Sequence, residues 1–340
     1  MFIETKYVQK LSVKYIVLII NKQLQFIKLY IEGELSMNNK VEIKSFNFIT
    51  WNWKKDFSYQ VERCNVNTIT FAFAAYQEHC YSTNINWKGY HMPDLKELSK
   101  LIDYAKGRNL KTIVKPMLNV SDGYWRAYIR FFDEDVPCEP KWSDWFKNYY
   151  EYLLFYGEFC EENQVDMIII GCELVGTDHR EYEWRELIRQ LRKVYSGKLT
   201  YNCDKYQEHN VKWWDALDYI SSSGYYPKNT IGKELERIEE VVKKFNKPFF
   251  FAECGCPSTL GANKNPNDWT IVKNGISSEE EQYEYYKEFL EESFKKGFIN
   301  GFCFWDWPIK SPSREKEKLS GDYSIKYKKA EKIISEYFRK

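Results

Sequence analysis

The chain has 340 residues, with 50 Lys plus Arg against 49 Asp plus Glu and a net charge of +1. That balance gives no bulk electrostatic attraction for nucleic acid or an acidic membrane, and it points to an uncharged partner. The length exceeds most single domains but suits an α/β barrel, which commonly runs to about 250 residues or more as one unit.

The first 36 residues carry a lysine every few positions and one six-residue apolar run, YIVLII, without a small-residue cleavage site. This is too short for a signal peptide and far short of the roughly 18 apolar residues of a membrane span. Residues 1–40 are therefore expected to be an extension of uncertain structure, with Met37 a candidate start. From residue 41 onward, apolar β-type runs alternate with helical patterns, the mark of βα units on a parallel sheet. Strands are predicted over 44–53, 66–77, 110–119, 165–174, 198–203, 217–226, 248–254 and 299–305. Between them, Leu95, Leu98, Leu101, Ile102 and Ala105 form a stripe at helical spacing, and Trp184, Leu187, Ile188, Leu191 and Val194 repeat it. Ser278 followed by Glu281 reads as a capping box opening a helix through Phe294, with Gly297 placed to end it. Ala330, Ile333, Ile334 and Tyr337 mark one face of a last helix.

Eight strand-then-helix units without a composition break predict one domain over 41–340, a closed (β/α)8 TIM barrel. Neither GxGxxG after the first strand nor GxxxxGK[ST] occurs, which removes the usual nucleotide-binding reasons for an open sheet. The nine cysteines form no regular framework and fall mostly in apolar segments, so they read as free thiols in a reducing, cytoplasmic compartment. Cys254 and Cys256 form a CxC pair with no His near them in sequence, and four histidines in all leave little for a metal. No metal or cofactor is expected.

In such a barrel the active site lies at the C-terminal ends of the strands. Those positions hold amides, aromatics and carboxylates, the equipment for a neutral polyol; they include Trp51, His79, Lys115, Trp125, Asn202, Tyr225, Tyr226, Trp305 and Trp307. Glu173 and Glu253 stand apart, because each follows an unbroken apolar run directly. An unpaired carboxylate in apolar surroundings costs several kcal/mol, so two such placements ask for a purpose. Two carboxyls across one pocket can hydrolyse a glycoside, one protonating the leaving oxygen while the other attacks the anomeric carbon. The plainer reading pairs each with Lys or Arg at the barrel mouth. Lys115 ends an apolar strand and must find a carboxylate or a substrate hydroxyl. Trp51, Trp125 and Trp307 are stacking platforms or ordinary packing; His79 bonds a carboxylate near the cleavage point or caps its strand.

The stretches IIIGCEL, LTYNCDKYQE, WWDALDYISSSGYYP, FFFAECGCPS and KPMLNVSDGYWRAYIRFF occur in order over nearly the whole of residues 44–338. On them the chain resembles glycoside hydrolase family 113, retaining β-mannanases of clan A. The resemblance implies that Glu173 is the general acid/base and Glu253 the nucleophile, with carboxyl groups roughly 5–5.5 Å apart. It further implies that Tyr226 hydrogen-bonds the nucleophile and that Trp305 is the platform beneath the sugar at the cleavage point. The wider clan has Asn before the acid/base, whereas this chain has Cys172, a poor substitute for an amide. Asn202 or Lys115 would then have to contact the sugar's 2-hydroxyl. The resemblance implies an endo-β-1,4-mannanase; an exo-β-mannosidase, a glycanase for xylan or glucan, and a non-catalytic carbohydrate-binding barrel stand as alternatives.

Overall fold

The strands are buried along nearly their whole length, on both faces, and a sheet with two apolar faces must be covered on each. In the computed structural model, which describes residues 41–49, 58–89, 91–307 and 313–340, this is achieved by closure. The strands are β1 (Ile43–Ile49), β2 (Thr68–Gln77), β3 (Lys111–Val120), β4 (Met167–Cys172), β5 (Lys198–Cys203), β6 (Ile220–Ser223), β7 (Phe249–Cys254) and β8 (Ile299–Trp307). They run parallel in chain order, and β1 pairs with both β2 and β8 to close the barrel. The expected eight strands and TIM-barrel class therefore hold. Strand six is shorter than predicted: Leu217 still closes the 3-10 turn over 214–216, the strand begins only at Ile220, and Tyr225 and Tyr226 lie beyond its end. The extension expected over 1–40, and Trp51, lie outside the described residues.

Among the described residues, the helices are α1 (Ser58–Cys64), α2 (Leu95–Lys106), α3 (Trp142–Glu162), α4 (Glu181–Val194), α5 (Ile231–Phe245), α6 (Trp269–Asn274), α7 (Glu279–Lys295), α8 (Arg314–Leu319) and α9 (Lys329–Arg339). The predicted stripes face inward: Leu98, Leu101, Ile102 and Ala105 are buried on α2, and Trp184, Leu187, Ile188 and Leu191 on α4. Ser278 caps α7 by accepting the Glu281 N–H at 3.3 Å, satisfying one of the donors a helix start leaves without a partner. No helix among the described residues is long and apolar enough to cross a membrane.

The barrel interior changes character along its axis. Towards the strand starts it is filled by Ile43, Ile113, Met167, Ile169, Phe250, Ala252 and Cys303. Towards the strand ends the side chains shrink to Ala72, Ala74, Met117 and Cys172, with Trp305 packed against them. Small residues there leave room for a cavity at the mouth. Most of the aromatic content fills the layer between barrel and helices, where Trp145 stacks on Tyr149 and Trp184 on Trp213, each pair at 4.8 Å. Their polar tips are spent on strand ends: Tyr149 donates to the Ile170 carbonyl at 2.8 Å and Tyr152 to that of Met117 at 3.1 Å. Buried phenols need such partners, and here the bonds pin β3 and β4 just below the mouth.

Candidate active site

Glu253 is buried at the end of β7, and its three hydrogen-bonding neighbours explain how a carboxylate is kept there. One oxygen, Oε1, accepts from the Lys115 ammonium on β3 and from the Cys172 thiol on β4, the latter at 3.2 Å. The other, Oε2, accepts from the Tyr225 hydroxyl at 3.2 Å. Lys115 also donates to Asn202 Oδ1 at 2.8 Å, and Asn202 Nδ2 donates to Ser223 Oγ at 2.9 Å, so β3, β5 and β6 are laced together beneath the carboxylate. Burial pushes the Glu253 carboxyl upward, but the charges of Lys115 and Arg126 and the hydrogen bonds outweigh it, holding the group below the usual carboxylate range. Burial pushes the Tyr225 phenol well up, with the Glu253 charge adding to it, so Tyr225 stays a donor. Gly255 follows closely: a Cβ there would lie 2.6 Å from the Trp305 carbonyl oxygen and 3.0 Å from the Tyr286 hydroxyl, so only glycine lets the loop pass against β8.

Glu173 sits just past β4 in a left-handed conformation, φ 54°, which turns its side chain off the strand. Its N–H still bonds the Asn202 carbonyl at 2.8 Å. The carboxyl accepts from Ser223 Oγ at 2.7 Å and from Trp125 Nε1 at 3.3 Å. Both donors are neutral, whereas Glu253 is in direct contact with a cation. The two carboxyls line one cavity of about 410 Å³, together with Trp125, Arg126, Tyr225, Asn267, Trp269, Trp305 and Tyr323. Two acids, one arginine and several aromatic faces thus converge on one space, with Lys115 buried beneath it. Such a site can hold a sugar ring flat and offer it one ionised carboxylate and one carboxyl free of a direct cation contact.

A model of glycoside hydrolase family 113 matches residues 42–329. The chain belongs to that family. A solved structure of a family 113 β-1,4-mannanase is 42% identical to this chain and covers 88% of it and 99% of its own length, with a TM-score of 0.85. A family 113 β-mannanase from Alicyclobacillus acidocaldarius, solved in complex with ManMIm, is 30% identical, covering 89% of this chain and 98% of its own, with a TM-score of 0.82. Two fungal β-1,4-galactanases, 15% identical at a TM-score of 0.55, share the fold alone. No curated protein matches the sequence.

Within this family 113 hydrolase, several residues sit elsewhere than their sequence positions suggested. Tyr226 does not reach Glu253; it donates to Glu208 at 2.8 Å, and Glu208 is also paired with Arg237 at 2.7 Å. Its neighbour Tyr225 makes the contact instead, because past the end of β6 consecutive side chains turn to opposite sides and only one faces the mouth. Tyr225→Phe is expected to lower kcat/KM by about 10- to 100-fold, since a hydrogen bond to a charged group is worth roughly 1.5–3 kcal/mol. Tyr226→Phe should leave kinetics near wild type while costing about 1–3 kcal/mol in urea denaturation, because it strips a partner from buried Glu208. Equal kinetic losses in the two variants would show that Tyr225 alone does not serve Glu253.

Asn202 and Lys115 are fully buried, and both are spent on the network beneath Glu253 rather than on the open cavity. They position the carboxylate and are not set to grip a 2-hydroxyl. Cys172 likewise gives its thiol to Glu253. His79 does bond a carboxylate, Asp122 at 2.9 Å, but in a neighbouring cleft with Tyr81, Tyr124 and Tyr128. Trp307 is buried against Phe46 and Tyr59 and lines no part of the cavity. The cause is a bulge: Phe46 pairs with Phe304 and Phe48 with Trp307, so two residues of β1 face three of β8 and Trp307 joins Phe304 on the outer side. Trp305 and Trp125 do line the cavity. Ser223, Asn267, Trp269 and Tyr323 also matter to the site and are not among the strand-end positions legible in the sequence. Arg126, a strand-end position beside Trp125 in the loop after β3, lines the cavity as well.

Proposed function

We propose that this glycoside hydrolase is a retaining endo-β-1,4-mannanase in which Glu253 is the nucleophile and Glu173 the general acid/base. The observation that carries the reading is the asymmetry of the two carboxyls in one cavity: Glu253 is held by a lysine, a thiol and a phenol, Glu173 by a hydroxyl and an indole. The mannanase activity reported for the two related family 113 structures supports the choice of linkage. In the first step the Glu253 carboxylate attacks the anomeric carbon as the glycosidic oxygen leaves with the proton of Glu173. In the second, Glu173 takes a proton from water, the hydroxide oxygen bonds the anomeric carbon, and Glu253 is released as carboxylate. Tyr225 and Lys115 favour the charged form of Glu253, so their bonds tighten again as the ester breaks. Trp125 ties the proton donor to the platform that orients the sugar.

Cleavage of defined β-1,4-mannooligosaccharides, followed by NMR, is expected to release the β-anomer first and to break internal bonds. Glu173→Ala should lose about 10²–10⁴-fold on natural substrate, the usual worth of general acid catalysis. Azide should then restore turnover of an aryl mannoside with a good leaving group and yield a β-mannosyl azide. Absence of rescue, with Glu253→Ala giving an azide product instead, would exchange the roles. The same reading places the enzyme in a reducing cytoplasm, supported by nine cysteines of which none is paired; fractionation of its host cells tests this.

A further inference from the structure

The left-handed conformation of Glu173 costs a residue with a side chain energy, and it persists only where the surroundings enforce it. The enforcement comes from β5. The Glu173 N–H bonds the Asn202 carbonyl at 2.8 Å, and the next N–H along the chain, that of Leu174, bonds the Tyr201 hydroxyl at 3.0 Å. Both amides that flank the Glu173 side chain are therefore tied to neighbouring residues of one strand, one by main chain and the other by a phenol. Asn202 faces into the barrel beneath Glu253, while Tyr201 faces outward and packs on Trp184 and Trp213 at 5.1 and 5.0 Å. Consecutive side chains of β5 thus serve the two carboxyls from opposite faces of the strand.

The phenol is itself fixed by an acid. Tyr201 donates to Asp178 Oδ1 at 2.6 Å, which turns its proton away from Leu174 and leaves a lone pair facing that amide. Asp178 is buried, and its other oxygen, Oδ2, has no hydrogen-bond partner among the described residues. Burial pushes this carboxyl up to about 8. An acid left half-satisfied in the interior weakens a fold more than it supports it, so stability alone gives no reason for its presence. The turn between Glu173 and Asp178 is braced as well: Thr177 donates through its N–H and its Oγ1 to the Leu174 carbonyl, each at 2.8 Å, and Trp184 Nε1 donates to the Thr177 carbonyl at 3.1 Å.

We propose that Tyr201 and Asp178 form a clamp behind Glu173, a pair of positioning residues that aim its carboxyl at the glycosidic oxygen. Neither lines the catalytic cavity, so they act through the Glu173 backbone and not on substrate. The inference rests on the reading of Glu173 as proton donor. Its consequence is selective: a proton donor matters most when the departing oxygen is a poor leaving group, and little when that oxygen leaves readily as an anion.

The test measures kcat/KM, which reports formation of the glycosyl-enzyme, for full-length wild type, Tyr201→Phe, Asp178→Leu and Glu173→Ala. The substrates are mannohexaose and aryl β-mannobiosides whose leaving groups run from phenol to dinitrophenol. Tyr201→Phe should lose about tenfold or more on mannohexaose and on the phenyl glycoside yet stay within about twofold on the dinitrophenyl one, since small displacements of a catalytic group cost up to about 10²-fold. Asp178→Leu, which removes the acceptor that orients the phenol, should lose in the same selective way. If that variant does not fold, Tyr201→Phe decides alone, because it deletes a single oxygen. Equal loss across all leaving groups, or none, overturns the clamp. Glu173→Ala tests the reading beneath it and should show the same selectivity at larger size. Selective loss there with an even loss in Tyr201→Phe removes the clamp only; an even loss in Glu173→Ala removes Glu173 as the acid, and the clamp falls with it.

Discussion

Replacing Glu253 with glutamine is expected to lower kcat on β-1,4-mannooligosaccharides by on the order of 10⁴-fold or more, as removal of an essential nucleophile does elsewhere. The amide keeps the size and shape of the side chain, so the pocket around Cys172 and Tyr225 still closes on it. It cannot form the glycosyl ester, and its NH2 cannot accept from Lys115 as the carboxylate oxygen does. Binding of oligosaccharide, measured by calorimetry, should survive, since the ring faces of Trp125 and Trp305 are untouched. A kcat within tenfold of wild type would remove Glu253 from the chemistry and end the proposed mechanism.

Lys115→Met is expected to have the second largest effect, on stability and on pH dependence together. It leaves a carboxylate buried without its nearest cation, and breaking a buried ion pair by removing one partner costs about 3–5 kcal/mol. The sign with pH follows from Glu253, whose folded carboxyl is held below its unfolded value. That group contributes stability which is fully present above the unfolded value, about 4.3 for glutamate, and is lost as pH falls through the lower folded one. Without Lys115, burial is less fully opposed and the folded value moves up. The stability gap to wild type, read from urea midpoints, should therefore be widest near neutral pH and narrow in acid. The acid limb of kcat/KM should move to higher pH, because the nucleophile must be ionised to attack. The double variant Lys115→Met, Glu253→Leu should be more stable than Lys115→Met alone, since it buries no unpaired charge. An unchanged acid limb would show that Lys115 does not set the charge of Glu253.

Periodicity was enough to count the strands. Runs buried on both faces are apolar without alternation, and helical stripes recur every three or four residues, so eight βα units stand out before any contact is known. The two glutamates were visible for the same reason, as charges at the ends of runs that tolerate none unless something compensates. These are local properties, fixed by spacing along the chain.

What compensates the charges was not legible, because it comes from far away. Lys115 and Glu253 are 138 residues apart in sequence, Cys172 and Glu253 81, and Ser223 and Glu173 50. Only closure of the barrel brings them within bonding distance. The choice of Tyr225 over Tyr226, and of Trp305 over Trp307, also fell to the tertiary structure. Strict alternation fails at strand ends, where a bulge between β1 and β8 and the early end of β6 decide which side chain turns inward. Sequence alone thus determined the barrel, its order and the pair of acids; the closed fold decided which neighbours hold them, since a buried charge is settled by whatever the folded chain places beside it.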